Sequence, residues 1–325
     1  MQRKILEIKK MLPGIKKNVL LKNFTTFKIG GPAEYFYIAG IKKELIKAVQ
    51  TAKKLKLPFF ILGMGSNVLI SDKGFKGLII KSSLLNFRFE KNMVYAESGV
   101  PLSLIIQKAA KHGLGDMSWG VGVPGTIGGA IFGNAGSKEN SIKDVVETVE
   151  VFDVKEDKLK IFKEKDCNFS YRESVFKNNK DLIILSATLK LKTIAREQIK
   201  DCYEKSLKYR QNTQPLNFPS AGSIFKGYIG KIGKKELLNQ FPELIDFNKK
   251  GIVPAGYLID KCGLRGKTIG GAQISKMHAN FIINTGNAKA GDVIKLIKLI
   301  KIAVKKKFGI KLAEEIKFLG FSKNL

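Results

Sequence analysis

Apolar residues recur along the chain with two different periods, and these periods predict its helices and strands. A helical period runs from 41 to 56, and Pro58 ends that helix before the strand FFILG. Pro101 opens a second helix that ends near His112. Alternating or continuous apolar runs predict further strands at 77–83, 93–99, 145–154 and 182–191. These elements form small groups instead of a regular βαβ series, so this part of the chain is predicted to be α+β.

The later part of the chain continues the mixed pattern. A charged helix at 195–210 is expected to join two domains, and the polar, proline-containing stretch 211–222 is expected to be irregular. The remaining predicted elements are a helix at 253–262, a strand at 281–286, a long helix at 290–308 and a last strand at 314–321. The long helix has one apolar and one lysine-rich face, so we expect it to pack over a sheet, with binding to a membrane surface as the alternative.

Length and composition restrict the class of protein. With 325 residues, of which 44% are hydrophobic, the chain is long enough for two or three folded domains. No apolar run reaches the roughly 18 residues of a membrane span, and the N-terminus does not resemble a signal peptide. The three cysteines form no CxxC pair, so we expect neither a disulfide framework nor a zinc or other metal site, and a cytoplasmic location.

The net charge of +30 raises the question of a polyanionic partner. The lysines are scattered over the whole chain, whereas a nucleic-acid-binding protein concentrates its charge on one face. We therefore interpret most of them as a solvated coat. A positive field would still assist the capture of a phosphorylated substrate.

Two glycine-dense segments carry the main functional signal. They are GMGSNVLISDKGF at 63–75 and VGVPGTIGGAIFGNAG at 121–136, and both are flanked by apolar runs. Glycine has no Cβ and tolerates positive φ, so backbone N–H groups can turn toward a ligand. Two such loops in one chain predict a cradle for a pyrophosphate, and hence a nucleotide-type cofactor.

Together with other motifs, these loops resemble a known family. The series begins at TTFKIGGPAEY (25–35) and passes through both loops to YRES (171–174) and AGSIFK (221–226). It continues with AGYLIDKCGLRG (255–266), HANFIIN (278–284) and EEIKFLG (314–320). This ordered set, which covers nearly the whole chain, is similar to the MurB family of UDP-N-acetylenolpyruvoylglucosamine reductases, the flavoenzymes of peptidoglycan synthesis.

The resemblance implies a fold and a domain order. It implies an α+β, two-part FAD-binding region of the vanillyl-alcohol/p-cresol oxidase type over 1–195, with subdomains at about 1–80 and 81–195. An α+β substrate-binding domain would follow over 196–311, and a C-terminal strand at 312–325 would return to the active site. Neither glycine loop reads GxGxxG within a βαβ unit, which agrees with a fold other than the Rossmann fold.

The family reaction reduces an enolpyruvyl ether to a lactyl ether, and it implies roles for three residues. NADPH would pass hydride to N5 of a non-covalent FAD, which passes it to the substrate, while Ser223 in AGSIFK gives the proton. Arg172 in YRES would polarise the substrate carboxylate, and Glu315 would act with it on the developing enolate. In ordinary structural roles these residues would be a turn serine, an arginine paired with Glu173 or Glu164, and a solvated glutamate.

The family pattern also implies the binding residues. The expected substrate-binding residues are Lys226, Arg265 and His278, with His278 as a hydrogen-bonding group or else a core histidine. The expected flavin contacts in the two loops are Gly63, Gly65, Ser66, Asn67, Val68, Pro124, Gly125, Thr126, Gly128, Gly129 and Ala130. His112 is expected to be structural.

The chain also departs from the family pattern. Gly227 and Thr213 replace residues that are common in the family, and the stretch after Arg172 lacks the inserted tyrosine loop, which indicates the shorter branch. The partners that we expect are the UDP-sugar and NADPH, with no nucleic acid and no membrane, and a monomer is favoured. Another FAD oxidoreductase or oxidase on the same cofactor fold is the alternative function, and Ser223 with Glu315 argues against it.

Overall fold

The protein is described by a computed structural model over residues 2–137 and 140–322. It divides into two compact units whose chain segments interleave. Unit 1 comprises Met1–Val19, Ala33–Met64 and Phe75–Arg210. Unit 2 comprises Leu20–Pro32, Gly65–Gly74 and Gln211–Leu325.

Helices and strands alternate irregularly in the described residues. The α-helices are α1 (Gln2–Met11), α2 (Lys42–Lys54), α3 (Leu102–Lys111), α4 (Ile127–Gly133), α5 (Val175–Asn178), α6 (Arg196–Thr213), α7 (Lys235–Gln240), α8 (Glu243–Lys249), α9 (Ala255–Lys261) and α10 (Ala290–Phe308). The strands are β1 (Lys16–Leu20), β2 (Pro32–Ala39), β3 (Phe59–Leu62), β4 (Val68–Ile70), β5 (Phe75–Ser82), β6 (Phe87–Glu90), β7 (Met93–Glu97), β8 (Gly136–Ser137), β9 (Asn140–Ser141), β10 (Val146–Asp153), β11 (Lys158–Lys163), β12 (Leu182–Lys190), β13 (Ser220–Ser223), β14 (Tyr228–Ile229), β15 (Ile252–Val253), β16 (Thr268–Ile269), β17 (Ala272–Ile274), β18 (Phe281–Asn284) and β19 (Lys317–Leu319). No described helix is long and apolar enough to cross a membrane.

The first sheet of unit 1 has the order β1-β2-β5-β3, and β5 pairs in parallel with both β2 and β3. Its central strand β5 reads as a continuous apolar run because both faces of a parallel sheet are covered. Helix α2 connects β2 to β3 and buries Leu45, Ala48, Val49 and Ala52 against one face. The sequence predicted this helix and strand correctly.

The second sheet of unit 1 is antiparallel, with the order β11-β10-β12-β7-β6. Strand β10 alternates between two cores: Val149 and Val151 face the core that includes α3 and α4, whereas Phe152 joins the core of the first sheet. This alternation explains why β10 carries apolar residues on both of its faces, and it joins the two sheets of unit 1 through packing.

A polar network fastens α2 to the second sheet of unit 1. The ammonium group of Lys42 forms an ion pair with Glu150 on β10 and donates to Ser186 Oγ on β12 at 3.2 Å. Burial alone would raise the pKa of Glu150, but hydrogen bonds from Lys42 and Ser186 and the charge of Lys42 outweigh it and lower that pKa. The Lys42 ammonium also lies 5.3 Å from the ring centre of Tyr95.

Unit 2 is built on a four-stranded sheet with the order β13-β18-β17-β16. Helix α10 buries Val293, Leu296, Ile297, Ile300 and Val304 in the core of this unit, as the sequence pattern predicted. Strand β4, which lies within the first glycine loop, pairs in parallel with the C-terminal strand β19. This pairing brings the two motifs GMGSNVLI and EEIKFLG together.

The predicted bounds of three segments were wrong. Helix α6 continues to Thr213 instead of ending near 210, because the polar stretch after 210 contains no proline before Pro215. The stretch 211–222 is also not wholly irregular, since β13 begins at Ser220. The last strand is limited to Lys317–Leu319 because only those residues face β4.

Candidate active site

The first glycine loop begins directly after β3. Its residues 63–67, which precede β4, form a sharp turn of the backbone. Gly65 has a φ of +68°, and a Cβ there would lie 2.2 Å from the carbonyl oxygen of Phe24. The Gly65 carbonyl accepts a hydrogen bond from Thr26 N at 3.2 Å. Only glycine therefore fits this position. The hydrogen bond from Thr26 holds the loop against the TTF segment through backbone atoms alone.

The second glycine loop leads into α4, and Thr126 caps this helix. Its Oγ1 accepts from Gly129 N at 3.2 Å, as expected of a threonine at an N-cap. The amide of Gly128 donates to Ser98 O at 2.9 Å, and that of Ala130 donates to Thr126 O at 2.8 Å. Gly128 has no room for a side chain, since a Cβ would lie 2.7 Å from Cβ of Ser98.

The hydrogen bonds within the second glycine loop determine which of its backbone amides are available to bind a pyrophosphate. The amides of Gly128, Gly129 and Ala130 are already bonded within the protein. By contrast, the amides of Gly125 and Thr126 donate to no protein acceptor within residues 2–137 and 140–322. Free backbone donors beside glycines are the groups that phosphate anions require, so the loop fits the diphosphate of a dinucleotide such as FAD. Val68 is buried in β4, and Pro124 is exposed at the start of the second loop.

The serine expected to be catalytic ends strand β13. Ser223 is half-buried and opposite Phe281 of β18, and it follows Gly222, whose φ is +73°. Three residues before it, the Ser220 carbonyl accepts from Thr26 Oγ1 at 2.7 Å. Thr26 thus contacts both the first glycine loop and the strand that carries Ser223, which ties these two segments within unit 2.

Glu315 lies beside this serine strand. The Glu315 amide donates to Ile224 O at 2.8 Å, one residue after Ser223, and Glu314 pairs with Phe225. The Asn67 side chain donates to Glu315 O at 3.3 Å, and Asn67 O accepts from Lys317 N at 2.9 Å. Unit 2 therefore brings together Asn67, Ser223 and Glu315, which the sequence places far apart.

Arg172 lies in unit 1, on a turn that contacts the end of the second glycine loop. Its φ is +59°, which is uncommon for a residue with a side chain and marks a locally strained backbone. Its Nη2 donates to Gly136 O at 2.8 Å, and its own carbonyl accepts from Lys177 Nζ at 2.7 Å. The neighbouring Glu173 forms an ion pair with Lys177 at 3.2 Å.

The three residues expected to bind substrate occupy two neighbouring segments of unit 2. Lys226 directly follows the serine segment, and its amide donates to Ala313 O at 2.9 Å. Arg265 is exposed, forms a bidentate pair with Asp260, and donates from Nη1 to the carbonyls of Lys276 and Met277 at 2.9 Å each. Arg265 thus braces the turn that leads to His278.

The surroundings of His278 favour its neutral form. Burial first, and then the charge of Arg265, lower the pKa of His278 below its ordinary 6.5. Its Nδ1 accepts a hydrogen bond from Asn280 N at 3.2 Å, so the proton is assigned to Nε2. Nε2–H is therefore the donor that this side chain can offer to a ligand.

The sequence motifs did not identify Asn280 or Thr26 as functional residues, although Asn280 lies in HANFIIN and Thr26 lies in TTFKIGGPAEY. The side chain of Asn280 brackets Phe225, and that of Thr26 reaches Ser220. Their contacts join segments more than 50 residues apart. For Asn280 the available signal was a polar residue beside the apolar run FII, since a buried polar side chain requires a partner. No such signal marks Thr26, which is half-buried and has polar neighbours in its motif.

Two family models match the chain. The model of an FAD binding domain matches residues 33–160, and the model of the C-terminal domain of UDP-N-acetylenolpyruvoylglucosamine reductase matches residues 214–319. The first match covers both glycine loops, and the second covers Ser223, Lys226, Arg265, His278 and Glu315. The expected α+β fold with an FAD-binding region is thereby confirmed.

Relatives match over nearly the full length. The UDP-N-acetylenolpyruvoylglucosamine reductase of Caldanaerobacter subterraneus subsp. tengcongensis is 41% identical over 304 residues, 93% of each chain. That of Caldicellulosiruptor saccharolyticus is 42% identical over 310 residues, 94% of this chain and 91% of the other. The crystal structure of the MurB reductase from Thermus caldophilus superposes with a TM-score of 0.75 at 29% identity, covering 94% of this chain and 99% of that one. The resemblance drawn from the motifs is therefore confirmed, and the chain belongs to the MurB family of UDP-N-acetylenolpyruvoylglucosamine reductases.

Proposed function

We propose that this flavoenzyme reduces UDP-N-acetylenolpyruvoylglucosamine in peptidoglycan precursor synthesis, with NADPH as the reductant and Ser223 as the proton donor. One observation supports these roles. Within unit 2, hydrogen bonds join the segment of Ser223 to that of Glu315, and they join the segment of Glu315 to the first glycine loop. A proton donor and a carboxyl group held beside the loop of a redox cofactor suit a reduction that consumes one hydride and one proton. An alcohol oxidase has no use for this pair.

Bound FAD supplies a carrier that accepts two electrons from one partner and delivers them to the other. Among the residues of this chain, the amides of Gly125 and Thr126 would hold its diphosphate. We assign the expected first-loop contacts, Gly63, Gly65, Ser66, Asn67 and Val68, to shaping the flavin site. No covalent link is proposed, because no histidine lies in either glycine loop.

The chain's own groups then act on the substrate. Ser223 holds a proton at Oγ for the carbon next to the carboxylate. Arg172 would bind the carboxylate through its planar guanidinium, and Glu315, as a protonated carboxyl group that donates a hydrogen bond, would stabilise the enolate-like charge that develops there. Lys226 and the neutral His278 would bind the UDP-sugar by charge and by the Nε2–H donor, while Arg265 would act through the turn that it braces.

The remaining assignments rest on the same chemistry. We propose a cytoplasmic location, where nucleotide sugars and reduced thiols are found, in agreement with free Cys167, Cys202 and Cys262. We also propose a functional division of the sequence at 195 and 311, which differs from the division into two compact units, and a monomer. NADPH and the UDP-sugar are proposed to use one pocket in turn.

A spectroscopic experiment tests the function. The purified protein should carry the yellow flavin spectrum, which anaerobic NADPH should bleach and the enolpyruvyl UDP-sugar should restore faster than air. Parallel double-reciprocal plots should accompany this behaviour. A colourless protein that binds no FAD, or reoxidation by air alone, would refute the proposal, and the second result would favour an oxidase.

A further inference from the structure

The side chain of Asn280 brackets the backbone just beyond Ser223. Phe225 N donates to Asn280 Oδ1 at 3.0 Å, and Asn280 Nδ2 donates to Phe225 O at 2.8 Å. The amide of Ile224 donates to the backbone carbonyl of Asn280 at 2.9 Å. Three hydrogen bonds to one residue therefore fix the two residues that follow the serine.

This bracket is buried. Asn280 is only 6% exposed, while Ile224 and Phe225 are 0% and 1% exposed. A buried backbone N–H or C=O that loses its partner is costly, so the bracket determines where this backbone lies. On the other side of Ser223, Gly222 has a positive φ and no side chain to pack. The residues that follow the serine therefore contribute to its position, together with the pairing of β13 with β18 and the bond from Thr26 to Ser220.

Asn280 itself is anchored from its other side. Its amide donates to Nδ1 of His278 at 3.2 Å, and Arg265 holds the preceding turn through the carbonyls of Lys276 and Met277. The bracket is thus built on a braced turn. Its amide group offers one donor and one acceptor in one plane, a combination that aspartate or leucine of similar size cannot supply.

We propose that Asn280 is a positioning residue, which holds Ser223 Oγ where it can deliver its proton to the substrate. This inference rests on the proposed function of Ser223. Misplacing a catalytic group by about 1 Å can cost about 10²-fold in rate. Loss of the bracket should therefore slow the step that needs the proton, and should leave flavin reduction by NADPH nearly unchanged.

The chain contains a matched control for this bracket. Asn248 accepts from Ile232 N and donates to Ile232 O, both at 2.9 Å. The chemistry is the same and the unit is the same, but the bracketed residue lies nine positions after Ser223 in the chain. A structural effect common to both brackets should appear in both variants, whereas an effect on proton delivery should appear only at Asn280.

The test compares Asn280→Ala, Asn248→Ala, Ser223→Ala and the double variant Ser223→Ala/Asn280→Ala in the flavin-loaded enzyme. Anaerobic stopped-flow absorbance measures flavin reduction by NADPH and reoxidation by the enolpyruvyl UDP-sugar. For Asn280→Ala we expect reoxidation to slow by about 10- to 100-fold and reduction to change less than about twofold. Asn248→Ala should change both rates less than about twofold.

Two further readouts separate positioning from general destabilisation. The double variant should reoxidise within about twofold of Ser223→Ala alone, because a positioning residue has no effect once the group that it positions is gone. Hydrogen exchange of peptides covering 222–227 should accelerate in Asn280→Ala but not in Asn248→Ala, since the amides of Ile224 and Phe225 lose their acceptor or their fixed geometry. Additive losses in the double variant, or equal losses in both half-reactions, would overturn the inference.

A second variant covers a failure of Asn280→Ala to fold. Asn280→Asp keeps an acceptor for Phe225 N and loses the donor to Phe225 O, and it should also slow reoxidation selectively. Normal reoxidation by a folded Asn280→Asp would refute the positioning role. If wild-type enzyme is not reoxidised by the enolpyruvyl UDP-sugar at all, it is the proposed function that fails, and the two failures are thus distinguished.

Discussion

Gly63 and Thr126 lie against each other, so the two glycine loops meet at these residues. A Cβ at Gly63 would lie 2.8 Å from Oγ1 of Thr126 and 3.5 Å from its Cγ2. The same Oγ1 caps α4 through Gly129 N. A side chain at Gly63 would therefore push on the group that holds the second loop in place, although 63 residues separate the two positions.

This contact predicts the effect of Gly63→Ala. The added methyl group should displace the Thr126 hydroxyl, and FAD affinity should fall by about tenfold because the cap and the loop shift together. Thr126→Ala in the same chain removes the oxygen that clashes. The loss caused by Gly63→Ala should then be smaller in the Thr126→Ala background than in the wild type.

Fluorescence titration of the apoenzyme with FAD measures this coupling. Gly233→Ala is the control, since a Cβ there meets nothing within 4 Å. Equal effects of Gly63→Ala in both backgrounds would show that the clash with Thr126 is not the cause.

The catalytic assignment predicts a split between half-reactions for Ser223→Ala. Reoxidation by the enolpyruvyl UDP-sugar should slow by about 10²- to 10⁴-fold, the usual contribution of a general acid. Flavin reduction by NADPH needs no proton from this serine and should stay nearly intact. Ser220→Ala, in the same strand, keeps the carbonyl that Thr26 binds and serves as the control. Equal losses in both half-reactions would remove Ser223 from this role.

Local sequence patterns predicted much of this arrangement. The remainder depends on contacts between segments that lie far apart in the chain. The amphipathic pattern of α10 gave its bounds correctly because local periodicity specifies a surface helix. The extent of β19 is set by β4, about 250 residues earlier, and local pattern carries no information on that partner. The glycine loops were recognisable, but which of their amides remain available depends on Ser98 and Thr126, which only the fold brings to them.

The same limit explains why Asn280 was missed. In HANFIIN, the versatile chemistry of histidine makes His278 the obvious candidate. The contacts to the serine segment are made instead by Asn280, two residues later. Those contacts cross 55 positions of the chain. A buried asparagine in an apolar motif is a useful signal for such a bracket, because the interior tolerates it only with both its donor and its acceptor satisfied.

The neutral state of His278 predicts that its role is to donate a hydrogen bond. Because burial and the charge of Arg265 lower the pKa of His278 below 6.5, the ring should be less protonated at every pH between 7.5 and 6.5 than an ordinary histidine. His278→Gln should therefore keep kcat within about threefold, whereas His278→Ala should raise the KM for the UDP-sugar by about tenfold. Steady-state kinetics across this pH range measures both. A kcat that collapses in His278→Gln would indicate acid–base catalysis instead.

The ion pair between Lys42 and Glu150 predicts a specific pH dependence of stability. The folded pKa of Glu150 is lower than its ordinary 4.5, so the unfolded state binds the proton first as pH falls. The stabilisation from this carboxylate is therefore complete above about pH 4.5, and it is lost as pH falls through the lower, folded pKa. Glu150→Gln should cost about 1 kcal/mol at pH 7, because it weakens the charge-assisted bonds that join α2 to the second sheet of unit 1.

Denaturant titrations at several pH values check this prediction. At pH 7 the Glu150→Gln variant should be less stable than the wild type, and the difference should shrink below the ordinary pKa of the carboxyl group. Glu147→Gln is the matched control, since Glu147 lies on the same strand but is exposed, and surface substitutions of this kind are usually within about 0.5 kcal/mol of neutral. A Glu150→Gln difference that stays constant from pH 7 down to acid would mean that packing of the side chain, and not its charge, fastens the helix to the sheet.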